Sequence, residues 1–175
     1  MPALKAEGNN LVSHEFAATE TDSGRRAMAK YQHSGRTDQT KAALKRYIDA
    51  QRLQAQRRWR GAMYLAGYSV ECKLKACLME KYDLNTLEQL EEEIVSRLGH
   101  PVNVFTHSIE VLFALTGACE RLLQYPKDPA ALRAYQRCNQ WKPAWRYNPD
   151  DGDEDACNDF MEAVEEFGRY VANNV

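Results

Sequence analysis

From Arg58 to Tyr82 the residues Met63, Gly67, Val70, Leu74, Cys77 and Leu78 recur at the three- and four-residue spacing of one helical face. This pattern predicts the central core helix of the chain. Gly67 lowers helix stability by roughly 1 kcal/mol relative to Ala, so its place on the stripe predicts a neighbouring helix packed closely on the backbone there. A second strong stripe, Cys157, Phe160, Met161, Val164, Phe167 and Val171, predicts a packed C-terminal helix. Each stripe needs a partner, and Met63, Gly67, Val70, Leu74 and Leu78 are expected to face Phe160, Val164 and Phe167.

Weaker patterns fill the intervals. Residues 1 to about 21 lack periodicity and read as an extended arm. Thr21 or Asp22 then caps a short helix through Ala27, Met28 and Tyr31 that Ser34-Gly35 closes. A helix with Thr37 or Asp38 as N-cap carries Ala42, Leu44, Tyr47, Ile48 and Leu53, with a break or tight turn expected near Gln56. Thr86 to Leu98 is amphipathic, with an acidic solvated face and a stop at Gly99 and Pro101. Thr106 to Leu115 predicts a short helix with His107 in its first turn, and Asp128-Pro129 starts another that runs to Trp141. Pro143 forbids continuation, so Trp141 to Pro149 is expected as an ordered loop anchored by its aromatics. No segment alternates like a strand, and the fold class predicted is all-α.

Composition changes this picture little. The 175 residues carry 23 basic and 25 acidic side chains, a net charge of −2, so any nucleic-acid contact needs a local basic face. Arg57, Arg58 and Arg60, around Trp59, are such a face or else a solvated one whose stems cover apolar neighbours. Five cysteines without a CxxC pair read as reduced core residues. The N-terminus has no apolar leader and no apolar run approaches the ~20 residues that span a bilayer, which predicts a cytoplasmic protein without membrane contact.

Three stretches together resemble the HEPN domain, a family of small helical bundles named for nucleotide binding in higher eukaryotes and prokaryotes. Met63 to Ala76 is similar to that family's long helix, Thr106 to Leu112 to its His-led short helix, and Trp145-Arg146-Tyr147 to the loop before its last helix. The resemblance organises residues 37 to 173. It implies a HEPN-like up-and-down helical bundle, here with an additional N-terminal helix and arm: an arm over 1–21 and one domain over 22–175. It further implies a homodimer that binds a nucleotide, RNA or a partner protein, with nucleotidyltransferase-type partners and toxin–antitoxin or defence settings as family context.

Glu71 lies at the edge of the central stripe, where a buried carboxylate needs a cation or several donors. The resemblance implies a polar cluster there, with Arg146 or His107 as partner; the alternative is an exposed Glu71 beside Lys75 at i+4. Because Trp145 and Tyr147 flank Arg146 and prolines stiffen both ends, Arg146 is expected to turn inward toward Glu71. Ribonuclease members of the family carry an arginine followed after four to six residues by a histidine at the entrance to the last helix. Here Arg146 to Asp153 holds no histidine, and its acids would repel a phosphate backbone. Arg26 and His33 match by spacing alone.

Walker, GxGxxG, HExxH and GxSxG motifs are absent, and neither His100 with His107 nor the acids at 150–155 form a recognisable metal-binding pattern. The sequence therefore points to a non-catalytic binding module without cofactor or metal, its candidate residues being Glu71, His107, Arg146, Tyr147, Arg57, Arg58 and Arg60. The alternatives are a ribonuclease with displaced groups, His107 as base and Arg146 as phosphate clamp, or a structural helical adaptor.

Overall fold

The computed structural model describes residues 33–124 and 128–175, and residues 33–175 cluster as one unit. The arm and the helix ending at Tyr31 lie outside the described residues. Seven α-helices and one 3-10 turn make up the regular structure of the described residues, with no strand among them and one isolated bridge, Gly35 to Thr86. None of these helices is long and apolar enough to cross a membrane.

Helix α1 spans Arg36–Ala55 and starts earlier than its expected caps: Gly35 is the N-cap, and Asp38 sits in the first turn, where its charge favours the helix dipole. The start is fixed from outside, because Arg36 N–H donates to the Asn85 carbonyl at 2.8 Å and Leu87 N–H to that of Ser34 at 3.2 Å. The turn foreseen near Gln56 is there. Arg57 takes φ +58°, and Arg58 N–H returns to the Leu53 carbonyl, so the chain reverses within three residues.

Helix α2, Trp59–Lys81, is the central element, with Met63, Gly67, Val70, Leu74 and Leu78 all buried. Helix α7, Glu154–Asn174, packs on it and buries Phe160, Val164 and Phe167 in the same core, as the paired stripes require. Asp153 caps α7 through the Ala156 N–H. Helix α3, Leu87–Leu98, begins with a reciprocal capping box of Thr86 and Gln89 and ends at Gly99 with φ +72°.

Three short elements differ from expectation. The helix expected from Thr106 begins only at Ile109 (α4, Ile109–Leu115), because the Ser108 hydroxyl accepts from Val111 N–H and makes Ser108 the N-cap. His107 is thereby left in the preceding loop. A helix not foreseen, α5 (Ala118–Gln124), follows Gly117, which turns the chain at φ +70°. Helix α6 covers Pro129–Cys138 and stops before Trp141. That stop lets the Trp141 indole fold back onto α2, and it is this ring, not a neighbouring helix, that needs Gly67: a Cβ there would lie 2.1 Å from Trp141 Cδ1. Trp141 Nε1–H donates to the Tyr64 carbonyl at 3.0 Å.

Candidate functional site

Along α2 the residues Arg60, Tyr64, Tyr68, Glu71 and Lys75 follow one another at spacings of four, four, three and four. They therefore share one helical face. Side chains from α1, the loop before α4 and the loop after α6 meet this face at different heights.

At the lower height Glu71 is buried, its side chain 2 % exposed. Its Oε1 accepts from Lys75 Nζ at 2.7 Å, and its Oε2 lies 3.0 Å from His107 Nδ1. One of the two partners expected for a buried carboxylate is therefore present. The second is Lys75, at the i+4 position expected of an exposed pair, yet itself only 6 % exposed. An ionised carboxylate can only accept, so His107 donates to it from Nδ1. The imidazole is 58 % exposed, so the cluster is closed on its helix side and open at His107.

Cys72 and Tyr68 complete this surrounding. Burial first, then the charge of Glu71, pushes the Cys72 thiol up to about 11. Tyr68 is raised by burial, Cys72 and Glu71, and the nearby Arg46 guanidinium opposes these. Arg46 lies 5.6 Å from the Tyr68 ring centroid. None of Arg46, Tyr68 and Cys72 was a candidate from sequence. Only the i+4 spacing of Lys75 carried a signal.

At the upper height stands the aromatic loop, a 3-10 turn over Pro143–Tyr147 that contains no buried residue. Arg146 does not reach Glu71. Its guanidinium carbon sits 4.7 Å from the Tyr147 ring centroid, and Tyr147, then the nearby Tyr64, pushes its pKa upward. Tyr64 precedes Glu71 by seven residues, about 10 Å along the axis at 1.5 Å per residue. The turn cannot carry Arg146 that far, because Trp145 is pinned against Phe160, ring centroids 5.6 Å apart, and beneath Arg60 at 5.7 Å. The loop is thus anchored by Trp141 and Trp145, while Tyr147 is 73 % exposed.

The arginines at the start of α2 divide between two roles. Arg60 is engaged, with its Nη2 3.3 Å from Asp150 Oδ2 and its N–H donating to the Asp151 carbonyl at 2.8 Å. Arg57 and Arg58 are exposed, at the same end of α2 as Arg146 and Tyr147. The structure therefore brings together Glu71 with His107, and Arg146 with Tyr147, but not Glu71 with Arg146. No family model matches the chain, and comparison with curated proteins and with solved structures finds no match to either.

Proposed function

We propose that the chain is a HEPN-like, non-catalytic module that binds RNA or a nucleotide at the Arg146–Tyr147 face. The observation that supports this most is a large aromatic ring, 73 % exposed, with a guanidinium stacked 4.7 Å above it on a turn fixed from beneath by Trp145. A base can stack on such a ring while the cation meets a phosphate, and Arg57 and Arg58 add positive charge at the same end. Arg60 is spent on Asp150 and contributes less. Fluorescence anisotropy with a labelled single-stranded RNA tests the proposal. Tyr147→Ala should cost about 1–3 kcal/mol of binding, the usual worth of one stacked base. Binding by wild type that Tyr147→Ala and Arg146→Ala leave unchanged would refute the face. The resemblance also implies a homodimer and a nucleotidyltransferase-type partner, and sedimentation velocity tests the former.

A ribonuclease reading has one observation in its favour: Glu71 orients His107 as a carboxylate orients a general base. The seating of the Arg146 guanidinium over Tyr147, on the turn fixed by Trp145, tells against its joining His107 on one phosphate. Cleavage of RNA that is lost in His107→Gln would support this second reading over the first.

A further inference from the structure

A groove of about 980 Å³ runs over α2 between the first half of α1 and the last half of α7. The two outer helices are tied at one end, where Tyr47 donates to Glu165 and Gln54 Nε2–H to Asn158 Oδ1. Beyond that tie they stand apart. Its accessible apolar lining is Leu44, 64 % exposed, and Tyr47 from α1, Cys77 from α2, and Ala172 and Val175 at the end of α7, while Val70, Leu74, Phe167 and Val171 lie closed beneath them. A volume of this size, lined mainly by apolar groups with a few polar ones, is the usual form of a small-molecule site.

The charges in the groove indicate what enters it. Lys73 is turned aside, its ammonium donating to the Gly168 carbonyl at 2.6 Å, and Glu165 accepts from Tyr47. Glu80 is exposed at the rim. At the far end Lys81 donates to the Thr116 carbonyl and has no carboxylate within ion-pair distance among the described residues. Its Nζ and Arg121 Nη1 lie 3.8 and 3.9 Å from where a Cβ on Gly117 would stand, so two cations flank one bare Cα. Burial, then Arg121 and Arg97, push the Lys81 pKa downward, although Arg97 is itself paired with Glu93. Helix C-termini neutralise part of this charge, since Arg121 Nη2–H donates to the Asn174 carbonyl at the end of α7.

We infer that the groove binds a long-chain carboxylate, with the alkyl chain along Leu44, Cys77 and Ala172 and the carboxylate at Lys81. This site is independent of the Arg146–Tyr147 face, on the opposite half of α2. The test is a fluorescence titration of the full chain with 11-(dansylamino)undecanoic acid, followed by displacement with dodecanoate, dodecanol and dodecyltrimethylammonium. Saturable probe binding is expected, with dodecanoate the best competitor. Lys81→Met should weaken dodecanoate roughly tenfold, equivalent to about 1.4 kcal/mol, and leave dodecanol unchanged. Ala172→Trp should block the groove. Leu44→Glu should weaken the probe without unfolding the chain, because Leu44 is already exposed; circular dichroism checks both variants. Absence of saturable binding, binding untouched by Ala172→Trp and Leu44→Glu, or equal competition by all three amphiphiles would overturn the inference. So would a dimer that excludes the probe, since a second copy would then be the occupant.

Discussion

The buried ion pair is where single side chains matter most. Glu71 and Lys75 share a nearly solvent-free site, so removing one charge strands the other. Lys75→Met is expected to cost about 3–5 kcal/mol in urea unfolding, whereas Glu71→Met with Lys75→Met together should recover much of that loss. His107 keeps part of its ring in water, so His107→Ala should cost far less. Arg146→Ala should leave the melting temperature nearly unchanged, because the side chain is exposed and holds no buried charge. The burial of Glu71 was legible from its position on the stripe. Its main partner was not, because an i+4 Lys looks the same in sequence whether or not another element covers it.

At the level of elements, Gly67 and Trp141 form one joint. Gly67→Ala would gain helix propensity of roughly 1 kcal/mol, but its methyl cannot share space with an indole 2.1 Å away. Net destabilisation of about 1–3 kcal/mol is expected, together with a red shift of tryptophan emission as Trp141 leaves the core. Emission unchanged from wild type would mean the ring is not seated there. The glycine signal was readable in the sequence, and the element it serves was misassigned because helix periodicity carried α6 on to Trp141. The long helices emerged clearly from their stripes. Of the short ones, α4 and α6 were expected with one end misplaced and α5 was missed, since α5 has only seven residues and the start of α4 is set by one serine hydroxyl.

For the whole molecule, the cysteines couple the fold to pH. Burial lifts Cys72 and Cys157 from an ordinary 9.0 to about 11, and Cys138 to about 12. In the unfolded chain these thiols ionise first, so the unfolded state binds fewer protons above pH 9 and stability falls as pH rises. Unfolding free energy should therefore hold up to about pH 8 and decline between about 9 and 12, with Cys138→Ala lessening the decline. A stability that rises through this window would contradict the assigned burial.

The claim that ligand binding and structural support occupy different heights of α2 is tested most directly by amide chemical-shift mapping of the labelled protein during titration with single-stranded RNA. The largest shifts are expected at Arg57, Arg58, Tyr64 and Arg146 to Asn148, with His107, Glu71 and Lys75 nearly still. Shifts centred on His107 and Glu71, or no shifts at saturating RNA, would contradict the account.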